Sequence, residues 1–308
     1  MRTLHWFLFR GRRAADGKVT QMMPVHAVDS EKNLQAPWAF FSLCPFSQIA
    51  IRVMKLVNNE DTPFTQVSSL ISSDPAFSSE VLRIANSLWY APRVPAVSIA
   101  QAVARLGTKN LQGIALTVAM RSFLGDAMSR PVMRDMWRHN LACGLIAEIL
   151  APQTDLDKDL AFTGAVLHDL GRLALAVLEP KEYVFLLAKH KGPSSSILLL
   201  EREAFGYDHC EVGAELVASW KLPVAFESIV AHHHCLREKS DPWDMAALVN
   251  VSCRLADSMG FPSFHGVEVT PYAELLEELP TIERGDPYPD MESLGTEVRT
   301  KMEGVESI

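Results

Sequence analysis

The stretch that most constrains this chain is Ala161 to Leu178, AFTGAVLHDLGRLALAVL. Apolar residues flank one polar pair, His168-Asp169, on both sides. A run this apolar belongs in a core, and a polar pair carried into a core must find partners there. Each unpartnered buried polar group costs roughly 1–3 kcal/mol, and a charge more. An imidazole and a carboxylate side by side can satisfy each other, or they can share a metal ion.

The rest of the chain sets the fold class. Ile49, Val53, Leu56 and Val57 fall on one helical face. Thr62-Pro63 and Asp74-Pro75 open the next two segments, the second with Phe77, Val81, Ile84 and Ala85 inward. A helix beginning near Ser98 stops at Gly107, and another runs from Thr108 to about Leu124. Pro131 starts a helix through Leu150, and Asp157 or Asp159 starts the one leading into His168-Asp169. Further segments cover Glu182 to Lys191 and Ser196 to Phe205. Asp208 caps a helix starting at His209, and Pro223 begins one that reaches His232-His233-His234. Asp241-Pro242 opens one carrying Ala246, Val249, Cys253 and Asp257. No run alternates with β-branched residues, and no Asn-Gly or Asp-Gly turn joins two such runs. The expected class is all-α.

At 308 residues and 48% hydrophobic, the chain has enough apolar material for a substantial core. Its net charge is −8, and residues 268–308 hold eleven acids and three bases, so the remainder is near neutral. No basic face for nucleic acid is implied. Cys44, Cys143, Cys210, Cys235 and Cys253 form no regular framework, which suits reduced thiols and a cytoplasmic location. No stretch of about 18 apolar residues exists, so no membrane span is expected. The short apolar run Thr3 to Phe9 is followed by Arg10-Gly11-Arg12-Arg13, which is unlike a signal peptide.

The chemistry-bearing residues form a pattern. Asp135 and His139 are spaced i, i+4 on one helix. His168 and Asp169 end the apolar helix, His209 starts a helix, His232 and His233 end one, and Asp257 lies near the end of the last core helix. Imidazole and carboxylate donors suit Fe, Mn, Zn or Ni. The set exceeds the four or so ligands of one zinc ion and would serve two ions with Asp169 as a bridge. Such pairs cleave phosphate esters. Plainer roles stand beside these. Asp135 also fits a solvated helix residue, His209 a first-turn residue, and His232 to His234 a surface run favoured by the helix dipole. Cys143 and Cys210 also fit small buried hydrophobes.

Six phrases, in order, carry a resemblance. They are LISSDPAFSSEVLRIANSLWY (70–90), SIAQAVARLG (98–107), WRHNLACGLIAEILA (137–151), AFTGAVLHDLGRLAL (161–175), LEREAFGYDHCEVGAELVASWKLP (200–223) and SIVAHHH (228–234). The chain resembles the HDOD family, output-domain relatives of HD-type metal-dependent phosphohydrolases. The resemblance implies a two-lobed helical bundle, with an N-terminal lobe at 40–126 and an HD-like lobe at 127–260. Residues 1–39 are then a weakly structured extension and 261–308 an acidic tail.

It also implies one or two divalent transition metals. His139, His168, Asp169 and Asp257 match the HD motif and would hold the first ion. His209, His232 and His233 match further ligands of the related HD-GYP enzymes, with His234 as a shifted register, and would hold the second; Asp135 matches an acid of those enzymes. Asp169 and Arg172 would take the catalytic roles, with Arg172 steadying a phosphate. Two departures stand out: Arg172 occupies a place often held by Lys, and no Gly-Tyr-Pro follows His234. The implied function is a signal-transduction or regulatory protein that binds metal and hydrolyses a phosphoester or nucleotide. The alternative is a non-catalytic interaction module. The implied partners are signalling proteins or a phosphoester or nucleotide ligand.

Overall fold

A computed structural model of the chain describes residues 48–57, 61–87, 94–235, 242–282 and 287–306. The chain separates into two units, Met1–Leu34 and Gln35–Ile308, and all the described residues lie in the second. The extension expected over 1–39 therefore lies outside the described residues, as do Cys44 and Asp241. Fourteen α-helices and no strand occur among the described residues, with one isolated bridge between Gly192 and Val267. The all-α expectation is met.

Short side chains set several helix starts. The Asp74 carboxylate accepts from Phe77 N (2.9 Å), and Pro75 opens α3 (Pro75–Ala85). Together with α1 (Gln48–Val57) and α2 (Phe64–Ser72), α3 packs on α4 (Ile99–Leu124). Gly107 interrupts α4 with φ 73° and ψ 158°, a conformation open to glycine, so the break expected there is a kink between two helical halves. α4 also rests on α6 (Lys158–Leu167), which joins this group to the second.

The second group is built on α5 (Pro131–Leu150). Its inner face packs on α6 and α12 (Met245–Ser258), and one core runs through both groups. Asp157 caps α6 through Leu160 N at 2.8 Å. Asp244 caps α12 through Ala247 N at 2.9 Å, three residues past the start expected from Asp241. His168 closes α6, Asp169 adopts a bridge-region backbone (φ −99°, ψ 23°), and α7 (Leu170–Leu178) follows. The polar pair thus sits at a helix-to-helix corner. Lys158–Leu178 is apolar enough and long enough to cross a membrane: an 18-residue window within it has mean hydropathy 1.4, but 89% of that window is buried in this fold.

α8 (Pro180–Lys189) and α9 (Ile197–Phe205) lead to Asp208, which forms a reciprocal cap with Glu211 at the start of α10 (His209–Ser219). α10 lies unusually close to α7. A Cβ on Gly171 would collide with the His209 carbonyl oxygen and lie 2.7 Å from Gly213 N. Glycine at both helices lets the two backbones touch, which delivers His209 to Asp169. α11 (Val224–His232) packs on α10 and α6. The acidic tail contains α13 (Tyr272–Glu277) and α14 (Met291–Glu306). Leu294, Val298 and Met302 recur along one face of α14 and are buried, and Lys301 Nζ lies 3.4 Å from Glu148 Oε2 of α5.

Candidate metal centre

Six helices deliver side chains to one buried region. α5 supplies His139 and, one turn later, Cys143. The α6–α7 corner supplies His168 and Asp169, and α7 adds Arg172. α10 opens with His209, α11 ends in His233-His234, and α12 brings Cys253. His139, His168, His209 and His233 are each 0% exposed, Asp169 is 2% and His234 8%.

The outer nitrogens of the rings explain their orientation. Nδ1 of His139 lies 2.7 Å from the Phe261 carbonyl, that of His168 2.6 Å from Ala165 O, and that of His233 2.9 Å from Val230 O. Nδ1 of His209 lies 2.6 Å from Glu201 Oε2. These oxygens only accept, so Nδ1 carries the proton in each ring. In the neutral imidazoles Nε2 is then a bare lone pair, and all four point inward. Backbone carbonyl and carboxylate partners of this kind commonly fix metal-binding histidines.

The inward atoms form two groups, each with donor atoms within 4.8 Å of one another: Asp169, His209, His233 and His234, and His139, Cys143, His168 and Cys253. In the first, Asp169 Oδ1 lies 3.2 Å from His209 Nε2 and 3.4 Å from His233 Nε2, and the two nitrogens are 3.4 Å apart. Arg172 Nη1 lies 3.0 Å from Asp169 Oδ2. Asp169 Oδ1, His168 Nε2 and His234 Nε2 are buried and accept no hydrogen bond. Lone pairs converging without donors fit a cation.

The electrostatics follow from this crowding. Burial alone would raise the Asp169 pKa, but Arg172, His168, His209 and His233 together hold it well below the usual carboxylate range. Burial would lower His233, yet Cys210 and Asp169 lift it to about 10; it would also lower His139, which Cys253, Asp257 and Asp169 lift to about 9. Glu201 raises His209 well above its ordinary value against the same burial. His234 is pushed well down by burial and by His233 and His209, which outweigh the pull of Cys253 and Asp169.

A raised imidazole pKa stabilises the metal-free fold fully below about 6.5, the unfolded value. That contribution fades as pH rises through about 9 for His139 and about 10 for His233. A metal instead needs the bare nitrogens. Zinc binding at pH 7 should therefore release at least one proton, and affinity should rise from pH 6 to pH 9. Titration calorimetry in buffers of differing ionisation enthalpy counts the protons, and binding without release would contradict the protonated state.

Not every expected ligand arrives. His139, His168, Asp169, His209 and His233 come together, with Arg172 beside them. His232 does not: it is exposed, and its Nδ1 donates to Ser228 O at 2.8 Å. The buried stripe of α11 is Phe226, Ile229 and Val230, and its continuation is His233. His234, named only as a shifted register, joins the group. Asp135 is also exposed and lines a surface cleft with Met136, Phe261 and Phe264. One helical turn, about 5.4 Å, separates it from His139 and carries it out of the core. Asp257 stands on the outer side of His139, 3.7 Å from Nδ1, and accepts from Ser263 N at 2.6 Å. Burial, partly offset by His139, pushes its pKa up to about 7.

Glu201 was not anticipated. It is 0% exposed, one turn after buried Ile197 on α9, and accepts from Tyr183 Oη (2.6 Å) as well as from His209. An acid in phase with an apolar stripe was its signal. Cys143, whose place beside His139 fits either a zinc ligand or a small buried hydrophobe, and Cys253, on the inward face of α12, both turn their sulfurs to His139 Nε2.

Comparison with known proteins agrees with this architecture. The HDOD domain pattern matches residues 43–236. An uncharacterized protein of Treponema pallidum (strain Nichols) is 22% identical over 213 residues, 67% of this chain; the chain spans only 41% of that relative. A solved HDOD domain protein with unknown function from Geobacter sulfurreducens superposes with TM-score 0.65 at 21% identity, covering 91% of this chain and 99% of its own. A protein of Shewanella amazonensis SB2B, named a candidate phosphohydrolase, gives 0.66 at 22%, covering 88% and 97%. One of Marinobacter aquaeolei VT8, named a candidate signal transduction protein, gives 0.62 at 20%, covering 89% and 60%. At these identities the likeness shows the fold alone. The matched pattern covers well over half of the sequence and includes His139, His168, Asp169, His209 and His233, and the chain belongs to the HDOD domain family.

Proposed function

We propose that this protein is a signal-transduction regulator whose HD-like lobe is organised around a buried divalent transition metal and does not turn over substrate. One observation carries this reading. Asp169 and three imidazoles converge in a region closed to solvent, and Asp169 Oδ1 and His234 Nε2 there accept no hydrogen bond. Asp169, His209, His233 and His234 would hold the ion, and Glu201 would orient His209. Three nitrogens and one oxygen suit Zn, Fe, Mn or Ni. A bound ion would add its binding free energy to the stability of the fold.

Burial favours the non-catalytic reading, because Asp169 is 2% exposed and His209 and His233 are 0% exposed. Phe261 O receives His139, Ser263 N donates to Asp257, and the Phe264 ring lies 5.8 Å from the Arg172 guanidinium. This segment packs on His139, Asp257 and Arg172, and Asp169 beside Arg172 offers little surface to a phosphoester. The second reading, phosphoester hydrolysis, rests on Arg172: its guanidinium is buried beside Asp169 and makes no hydrogen bond, so it could steady a phosphate if the segment opened. The names given to the Marinobacter and Shewanella structures accord with the two readings in turn. Signalling proteins are the expected partners of the first, and a phosphoester or nucleotide of the second.

The test is elemental analysis of protein purified without a His tag or chelator. At least one equivalent of a transition metal is expected, retained by His232→Ala and lost by His234→Ala. The opposite pattern would return the ligand set to His232. Turnover of phosphoester substrates by the metal-loaded protein would make the second reading the right one.

A further inference from the structure

The second group, His139, Cys143, His168 and Cys253, shares no donor with the site above. We propose that it is a separate metal site, thiolate-rich and suited to zinc. The distances support an ion among these atoms. A tetrahedral zinc with bonds of about 2.0–2.3 Å holds its ligand atoms roughly 3.3–3.8 Å apart. Cys143 Sγ lies 3.4 Å from His139 Nε2, and Cys253 Sγ lies 3.3 Å from the same nitrogen. All four donors fall within 4.8 Å of one another.

The surroundings fit as well. Cys143 is 0% exposed and Cys253 3%, and both imidazoles are fully buried. His168 Nε2 lies in the group without a hydrogen-bond partner. The Phe261 and Ala165 carbonyls hold the two rings by Nδ1, so both Nε2 atoms are free to bind. His139 and Cys143 are one turn apart on α5, Cys253 comes from α12, and His168 from the α6–α7 corner, three elements packed directly on one another. Two sulfurs and two nitrogens make a softer set than Asp169 and its three histidines, so the two sites select by different chemistry. Asp257, on the outer side of His139, becomes a positioning residue for that ring.

Cobalt(II) added to the metal-free full chain is the probe. A thiolate-to-cobalt charge-transfer band is expected. It should disappear in Cys143→Ser/Cys253→Ser and persist in Cys210→Ser, with one equivalent of metal lost in the double variant. Helical circular dichroism reports whether each variant folds. Zinc-edge X-ray absorption of the unsubstituted protein needs no variant and should show sulfur in the first shell. A shell of nitrogen and oxygen alone, or a band that survives the loss of both cysteines, overturns the proposal. The proposed function is tested apart from this, because its metal is lost with Asp169 or His234 and not with the cysteines.

Discussion

Gly171→Ala should dismantle the metal centre without touching a ligand. The methyl group would fall inside the contact distance of the His209 carbonyl oxygen and 2.7 Å from Gly213 N. Both are backbone atoms of α10, held by that helix's own hydrogen bonds, so neither can turn aside. Overpacking against side chains costs about 1–3 kcal/mol, and a rigid backbone gives less. Alanine's helix propensity returns only about 1 kcal/mol. The net effect should be a loss of about 3 kcal/mol or more, and α10 should move off α7. That movement draws His209 away from Asp169, which now lie 3.2 Å apart. Gly164→Ala is the control, because its Cβ would meet the tip of the Ile229 side chain, which can rotate. Thermal melting with metal analysis reads both variants. A Gly171→Ala protein that melts and binds like the parent would mean that α7 and α10 do not touch as described.

What the sequence makes legible is local chemistry. Asp74, Asp157 and Asp208 are caps because a short carboxylate reaches the amide three residues on, and no other part of the chain is needed to say so. The α12 start lies three residues past Asp241 because DPWD offers two acids, and the helix that buries Leu248 and Val249 takes the later one as its cap. His168-Asp169 is legible because a polar pair inside an apolar run has few explanations.

The phase of His232 against His233 was also legible. Phe226, Ile229 and Val230 point to His233 by helical spacing, while the histidine run by itself points to all three. Cys253 and Asp257 show the limit. They lie one turn apart on the same buried face of α12, and which of them meets His139 Nε2 depends on how far α12 is shifted along α5. The close contact of Gly171 with Gly213, and the reach of Glu201 to His209, depend likewise on helices distant in sequence.

Asp169→Asn should remove both a metal and a large share of the stability. The amide keeps the shape of the carboxylate and deletes its charge. Asp169 is 2% exposed, with Arg172 Nη1 at 3.0 Å and His209 Nε2 at 3.2 Å. Arg172 is itself 1% exposed, and burial does not remove its charge, because guanidinium stays protonated. Deleting one partner of a buried ion pair leaves the other uncompensated, at about 3–5 kcal/mol. The Asp169 pKa is depressed, so the wild-type contribution is complete above about 3.9, the unfolded value, and fades only as pH falls through the lower folded value. The stability gap between the two metal-free proteins should therefore stay constant from pH 5 to about pH 6.5, where the imidazoles that Asp169 helps to lift are also fully protonated, and close in strong acid. Adding Arg172→Met should recover much of the stability, since an apolar pair often replaces a buried ion pair without loss. It should not recover the metal, because the carboxylate ligand is still gone. Denaturant unfolding of the single and double variants, with metal analysis of each, separates the two effects. If Asp169→Asn alone unfolds within about 1 kcal/mol of the parent, Asp169 and Arg172 are not the buried pair that the site is built on.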